Sequence, residues 1–556
     1  MKKLNWLAGV LAIAFGISAQ ADDSPLSQVS KDADVVVRIR AFDTTVENLA
    51  ALTNEVQPGA GDLVSQNATM FGLVLSNPTL AGVDRTKDFY LMLFARPEGE
   101  PKALFVIPTT DGPALQKGLP ENYESQVRES WVFYATKEHG VPEAVTEADS
   151  LGAALARSES LEVLDDADIG LYVNAKHLKE VYADKIQAGR EKFEQQMQKG
   201  VNAGGTENAA GTLQILKLEA DCAFQVLEDT RSIAIGIGVS KEGVEFSDYF
   251  DFEEGSPVAA FLEKHPTSKF DALSKLGEGF PVYVGLSGDF HSLAEMSRPM
   301  IDAIYSDPKV QEGFKAYLAT LEQTPMTSAV GSFDLASGGA GLFRTSSFFE
   351  SKASAEFLEA FRKLAESMKS VTMNGVTSET AYEPEAETIG TRKVDVMTVK
   401  QQVDPKQQGA AILTMVSGVM FGPNGFQSRT TALADGLLQT QGGGKAGMEA
   451  ALKAYDAKAN SLTGVREEQV EEAHALLLLD LPGLVTNGLL AATSIPGIPL
   501  PIKKEAVEEL QITRSYLTVS AVGEKHALRI ECNVPAEQLR GVMKLVGLFQ
   551  QMRGGR

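Results

Sequence analysis

The sequence predicts an α+β fold in which modules of antiparallel sheet repeat, each module running strand, helix, hairpin, helix. The helices are expected on one face of the sheets, and the chain is expected to form two pseudo-equivalent halves. Three observations predict this. Four short apolar runs each precede an amphipathic stretch, four pairs of β-rich runs flank short turns, and helix-capping residues follow several of those pairs.

The four opening strands share one pattern, in which an apolar or alternating run ends in a polar break and a helix start. They are expected at residues 35–40, 169–174, 282–287 and 475–480. The next apolar helix residue lies five positions after Val173 and Leu479, and seven positions after Ile39 and Leu286. Modules one and three therefore match, as do modules two and four. Because ordinary α+β proteins also contain many strand–helix pairs, the matched spacings are what favours a repeat.

Each module is expected to continue into a hairpin and a helix. The hairpins should pair 89–94 with 103–107, 233–237 with 244–246, 329–333 with 342–345, and 516–519 with 527–530. Helices should start at Asp111-Gly112-Pro113, Ser256-Pro257 and Asn533-Val534-Pro535, where a capping residue stands near a proline. Further helices are expected near 175–199, 289–305, 307–322 and 351–365, and extra strands between 376 and 435.

These elements divide the chain into a signal peptide and two halves of two modules each. The expected bounds are 1–21 for the signal peptide, 22–270 for the N-terminal half (modules near 30–155 and 160–270), and 271–556 for the C-terminal half (modules near 275–455 and 465–556). Gly204-Gly205 and Gly442-Gly443-Gly444 are expected to be flexible spots.

The first residues have the pattern of a secretory signal. Lys2 and Lys3 precede an uncharged apolar stretch at 7–17, and Ala19 and Ala21 are the small residues that a signal peptidase reads. Cleavage is therefore expected after Ala21, with a periplasmic or secreted mature protein. The apolar stretch is too short for a permanent anchor, although an uncleaved anchor is the alternative.

Composition limits the partners of the chain. It has 51 Lys+Arg against 74 Asp+Glu, a formal net charge of −23, which excludes a nucleic-acid binder that works by bulk charge. The best candidate for a later membrane span, 475–495, contains Asp480, Pro482 and Asn487, which are costly at a bilayer centre. We expect it to be soluble core, with no transmembrane span after signal removal.

Cys222 and Cys532 are the two cysteines of the chain. In an oxidising compartment an even count allows a disulfide between them. The alternative is that both are small buried hydrophobic residues. Because no Cys-x-x-Cys is present, a dithiol redox site and a cysteine zinc cluster are excluded.

The sequence contains few patterns that carry chemistry. No two of its six histidines lie within four residues of each other, and neither a Gly-x-Ser-x-Gly elbow nor a phosphate-binding loop ending in Lys-Ser/Thr is present. His177 and His291 follow their strands at similar places, where a surface or capping role is the simpler interpretation. We therefore assign no catalytic residue, no cofactor and no metal ligand, and expect a protein that is not an enzyme.

One segment suggests a binding surface. The stretch 493–502 alternates proline with large aliphatic residues, which restrains the backbone without forming a helix. If exposed, it is a preorganised apolar loop for a protein partner or a lipid surface; if buried, it is a linker against the core. The candidate partner-binding residues are Ile495, Pro496, Ile498, Pro499, Leu500 and Pro501.

Two modules open with an acid-Ala-acid-apolar run, Asp32-Ala33-Asp34-Val35-Val36-Val37 and Asp166-Ala167-Asp168-Ile169-Gly170-Leu171. In this the chain resembles exported bacterial proteins of unknown function built from repeated strand–helix–hairpin modules. The resemblance covers most of the mature chain and implies no activity. Three functions follow as hypotheses: a non-enzymatic binding or envelope-associated scaffold protein, a periplasmic carrier of a lipid or other apolar ligand, and a hydrolase whose residues are scattered over the modules. Repeat construction favours the first, and a lined void would favour the second.

Overall fold

The computed structural model describes residues 24–554 with internal gaps. The gaps are 69–71, 73–76, 78, 157, 204–208, 306, 324–325, 337–340, 374, 407–408, 458–461, 463–471 and 494–501. The expected signal peptide lies outside the described residues.

The described residues form one antiparallel sheet of 19 strands. The strands are β1 (Val35–Ile39), β2 (Phe89–Phe94), β3 (Lys102–Pro108), β4 (Tyr123–Arg128), β5 (Trp131–Thr136), β6 (Ile169–Val173), β7 (Thr230–Ser240), β8 (Gly243–Phe252), β9 (Val282–Ser287), β10 (Met326–Leu335), β11 (Phe343–Ser351), β12 (Ser370–Met373), β13 (Val376–Ile389), β14 (Arg392–Val403), β15 (Phe426–Leu433), β16 (Gly436–Gln441), β17 (Ala475–Leu479), β18 (Leu517–Glu524) and β19 (Ala527–Pro535).

The helices of the described residues connect and flank these strands. They are α1 (Phe42–Val56), α2 (Gly61–Asn67), α3 (Gly112–Gly118), α4 (Leu151–Leu155), α5 (Ser160–Asp166), α6 (Ala175–Val181), α7 (Ala183–Ala203), α8 (Ala209–Asp229), α9 (Pro257–Lys264), α10 (Phe290–Ile304), α11 (Pro308–Gln323), α12 (Ser354–Ser367), α13 (Ala410–Phe421), α14 (Gly444–Ala457), α15 (Leu481–Thr493), α16 (Lys504–Glu508) and α17 (Ala536–Gly554). None of these helices combines the length and hydropathy that a membrane crossing requires.

The strand pairings define the order of the sheet. Near its middle, β8 pairs with β19, and Asp251 lies opposite Ala527. From β8 the order runs outward through β7, β6, β1, β2, β3, β5 and β4. From β19 it runs outward through β18, β17, β9, β10, β11, β16 and β15, and then through β14, β13 and β12.

Local sequence explains where several elements begin. The four opening strands lie where the sequence predicted them, and a hairpin forms at each of the four predicted places. The pairing predicted for the last hairpin is wrong, since residues 527–530 pair with 521–524 and not with 516–519. The side chain of Asp111 accepts a hydrogen bond from the backbone N–H of Ala114 at 3.1 Å, and Ser256 accepts one from Ala259 at 3.3 Å. Each cap satisfies an N–H that the first turn of a helix leaves unpaired, with proline in that turn.

Helices pack on both faces of the sheet, so the expectation that they cover one face is wrong. Neighbouring residues of a strand point to opposite faces, yet Val132 and Phe133 of β5 are both fully buried. Val132 belongs to a core with Phe42 of α1. Phe133 belongs to a different core with Leu151 of α4. The continuous apolar run of β5 is the sequence signal for a strand covered twice.

The largest core lies on one face of the second half of the sheet. Tyr283, Phe348 and Leu438 pack there with Met448 and Leu452, which α14 contributes. This packing fixes one side of α14 against the sheet and leaves its flank free to line a space.

Aliphatic side chains on the other face of the central strands remain partly exposed. Val284 and Leu286 of β9 are 42% and 52% exposed, and Ile169 of β6 is 37% exposed.

Candidate functional site

A cleft of about 700 Å³ opens beside α14. Its floor is formed by the neighbouring strands β11 and β16, one wall by the flank of α14, and the other wall by the segment before β9. Leu276 and Phe280 supply apolar surface on that second wall. The volume falls within the range of about 300–1,000 Å³ typical of small-molecule sites.

Three glycines position α14 at the end of β16. Gly442, Gly443 and Gly444 have φ angles of +70°, +68° and +63°, in the left-handed region that glycine adopts at little cost. A Cβ atom at Gly442 would collide with the carbonyl oxygen of Phe343. The chain can therefore turn tightly from β16 into the helix, and the expected flexible spot forms this turn.

Small residues on the flank of α14 create the space. Ala446, Ala450 and Ala454 lie four residues apart, so they share one side of the helix, and all three line the cleft. Met448 and Leu452 point instead into the sheet core. The helix thus keeps its large apolar side chains for the core and presents mainly methyl groups and backbone to the cleft, with Lys453 as its one charged lining residue.

Two buried hydroxyl groups form the polar floor. Ser346 of β11 and Thr440 of β16 lie directly opposite each other in the strand pairing. Each residue is 3% exposed and lines the cleft. Within the described part of the chain, neither Ser346 Oγ nor Thr440 Oγ1 has a hydrogen-bond partner. A buried hydroxyl without a partner costs about 1–3 kcal/mol, so a pair of them facing one cleft requires an explanation.

Charged side chains complete the lining. Arg344 lies two residues before Ser346 on β11 and therefore on the same face of the sheet. Lys453 lines the cleft from α14, and Glu278 lines it from the segment before β9. Two cations and one anion give the cleft an excess of one positive charge (2 − 1 = 1), although the whole chain carries −23. This arrangement can hold a molecule that has a polar, electron-rich group and an apolar body.

The two histidines singled out in the sequence differ in how their rings contact the fold. His177 Nδ1 lies 2.7 Å from Asp34 Oδ1, which links α6 to the segment before β1. His291 Nδ1 lies 4.0 Å from Glu322 Oε1, beyond hydrogen-bond distance. Neither ring is hydrogen-bonded to a serine hydroxyl in the described residues.

The acidic residues of the resemblance are also engaged in the fold. Asp168 Oδ1 accepts a hydrogen bond from Asn48 at 3.1 Å, and its Oδ2 accepts one from the backbone N–H of Val239 at 2.7 Å. Across the described residues, no group of three or more His, Cys, Asp or Glu side chains is arranged to hold a metal ion.

The two cysteines are unbonded in the structure, so the disulfide allowed by the sequence is not formed. Cys222 lies exposed on α8, whereas Cys532 is half-buried within β19. Burial raises the pKa of the Cys532 thiol above its usual value. Both residues therefore have free thiols in the structure. Because Cys222 is exposed, the alternative prediction that both cysteines are buried is wrong for Cys222.

The candidate partner-binding residues Ile495, Pro496, Ile498, Pro499, Leu500 and Pro501 lie outside the described residues. The described residue that follows them, Ile502, is buried with Val507 and Leu548. The two alternatives for this segment, an exposed partner-binding loop and a buried linker, therefore both remain predictions.

A second exposed apolar surface belongs to α13, whose sequence consists mostly of apolar residues. Its residues Ile412, Leu413, Met415 and Val416 are between 47% and 63% exposed, and none of its residues is buried. Such a helix is unusual on a monomer surface.

The cleft itself was missed from the sequence. Ser346 and Thr440 look like ordinary polar residues of alternating strands, and the available signal was the spacing of Ala446, Ala450 and Ala454 after three glycines. Comparison of the chain with protein-family models, with curated proteins and with solved structures finds no match.

Proposed function

We propose that the protein is an exported, non-enzymatic binding protein whose cleft beside α14 holds a small molecule with an apolar body and a polar group. The single observation that carries this proposal is the pair of buried, unpartnered hydroxyls of Ser346 and Thr440 at the floor of the cleft. Export rests on the signal pattern that ends at Ala21.

The energetics favour an occupant. A ligand atom that bonds to both hydroxyls would offset a cost of about 1–3 kcal/mol for each of them. The methyl groups along α14 and the ring of Phe280 would then bury the apolar part of the same molecule. Few convergent polar groups in a mostly apolar cleft are the ordinary composition of a small-molecule site.

We also propose that the chain consists of two halves, 22–270 and 271–556, built from the same module pair. Support comes from the strand order, since eight strands follow the same connectivity on each side of the β8–β19 contact. Ile39 and Leu286 are equivalent positions of the two halves, because each lies seven positions before the next apolar helix residue. When the paired residues of successive strands are followed from these two positions, Ser346 corresponds to a residue of β3 and Thr440 to a residue of β5.

The corresponding residues are Leu104 and Ala135, which lie in a packed apolar core with Leu151 and Leu155. Hydroxyl groups occur at these places in the second half alone. The comparison between the halves therefore supports a specialised site beside α14.

A second candidate function, an envelope-associated scaffold, is favoured by the exposed apolar surface of α13. A photoreactive amino acid at Leu413 should then form adducts with a discrete protein in cells. Adducts of equal yield from Glu449, an exposed charged position on α14, would contradict a specific role for α13.

Native mass spectrometry of the protein purified under mild conditions tests the binding function. The wild-type protein should carry a discrete extra mass that denaturation releases. Ala450→Trp, which fills the cleft from an exposed position, should lose that mass, whereas Glu449→Trp places the same bulk outside the cleft and should keep it. An extra mass retained by Ala450→Trp would contradict the proposed site.

A further inference from the structure

We propose that the cleft beside α14 selects amphiphiles with an oxyanion head group, carboxylate or phosphate, and that this group bonds to Ser346 and Thr440. This inference rests on the proposed function and names the class of ligand. It is carried by three independent features of the cleft: its hydroxyl pair, its cationic side chain on the same strand, and the helix end beside it.

The hydroxyl pair supplies two donors to one point. Ser346 and Thr440 are directly opposed across β11 and β16, a geometry that brings their Cβ atoms to about 4.5–5.5 Å from each other. Both hydroxyls lack a protein acceptor in the described residues, so their protons are available to a ligand. A carboxylate or phosphate carries two or more oxygens and can accept from both at once.

Arg344 adds a positive charge on the same face of β11, two residues from Ser346. A guanidinium matches the planar or tetrahedral geometry of an oxyanion better than an ammonium does. The carboxylate of Glu278 also lines the cleft, on the opposite wall. It disfavours an anion near Leu276 and therefore directs the head group toward the strand floor.

The third feature is the start of α14, a helix of 14 residues. Its first N–H groups and its dipole favour negative charge, and Gly443, Ala446 and Gly447 of this first segment line the cleft. A helix start alone is a common feature; here it meets two buried hydroxyls that point into the same space.

The remaining lining defines the body of the ligand. Beyond the head-group position, the cleft continues along Ala450, Ala454 and Ala457, so the space beside the helix is narrow and apolar. A slender chain or a flat ring system fits such a groove, with Phe280 against it. Carboxylates and phosphate esters share this recognition, and the test distinguishes them.

Titration calorimetry of the full mature chain with decanoate, decyl phosphate and decanol tests the inference. One or both acids should bind at least about tenfold more tightly than decanol, because hydrogen bonds to charged groups contribute about 1.5–3 kcal/mol each. Ser346→Ala with Thr440→Val should remove most of this preference, and Arg344→Gln should weaken the acids without weakening decanol. Tighter binding of decanoate would identify a carboxylate ligand, and tighter binding of decyl phosphate a phosphate ester.

Ser428→Ala is the matched control, since Ser428 is a buried, unpartnered serine of β15 that does not line the cleft. It should leave all affinities unchanged. Equal binding of decanol and both acids would overturn the head-group inference and leave the binding function intact. Failure of all three probes to bind, or equal binding by wild type and Ala450→Trp, would overturn the binding function itself.

Discussion

Ser346→Ala combined with Thr440→Val is expected to stabilise the ligand-free protein while it weakens ligand binding. Each substitution removes a buried hydroxyl that has no partner, and Thr440→Val also conserves side-chain volume. Leaving such a group unsatisfied costs about 1–3 kcal/mol. The lower end applies to a cleft that opens to water, so the double variant should gain about 2 kcal/mol. Stability sacrificed at a binding site is a recurring property of functional sites.

The assay is reversible urea unfolding of protein that has been unfolded, refolded and freed of ligand. The urea midpoint should rise while the slope of the transition stays constant. Ser332→Ala is the control, because Ser332 lies opposite Ser346 and donates a hydrogen bond to its carbonyl oxygen at 3.3 Å. This variant should lose about 1 kcal/mol. If the double variant is instead destabilised, the two hydroxyls have partners in the free protein and the reasoning about the cleft is refuted.

Further predictions concern stability and surface chemistry. Asp395→Asn should cost about 3 kcal/mol in the free energy of unfolding, because the carboxylate is 2% exposed and bonds Arg362 at 2.7 Å and 2.9 Å. Burial would raise the pKa of Asp395, but hydrogen bonds led by that of Arg362 outweigh it and hold the pKa low. Wild type should therefore lose this stabilisation as the pH falls below about 4, as measured by urea unfolding at a series of pH values. The prediction is contradicted if the free energy of unfolding of Asp395→Asn falls by the same amount over the same pH range. Leu413→Asp should change stability by less than about 0.5 kcal/mol, because Leu413 is exposed; a loss of several kcal/mol would place α13 in a core. Thiol titration of the native protein should find Cys222 reacting rapidly and Cys532 slowly, whereas a protein without reactive thiols would contain the disulfide that the structure lacks.

Much of the secondary structure could be predicted because it depends on local chemistry. The opening strands are short apolar runs, and caps such as Asp111 and Ser256 act within one helical turn. Helices on both faces of the sheet were signalled only by the continuous apolar run of β5, because the partly exposed residues of strands such as β9 do not show which face a helix covers. The side-by-side placement of β8 and β19 depends on contacts between residues almost 300 positions apart, which no local pattern records.

The candidate site was less predictable than the fold. Ser346 and Thr440 are separated by almost 100 residues, and they meet only because β11, which pairs on one side with β10, pairs on its other side with β16 and not with the strand that follows it in the chain. Their lack of partners is a property of the folded space beside α14. By contrast, the alanine spacing of α14 was visible in the sequence, although small residues at helical spacing more often mark close packing than a cleft.

The most direct test of the account is a crystal structure of the protein purified under mild conditions, read at the cleft beside α14. The account predicts ligand density that contacts Ser346 Oγ and Thr440 Oγ1 and extends along Ala450 and Ala454. Ordered water bonded to both hydroxyls, with the rest of the cleft empty of any other molecule, would contradict it.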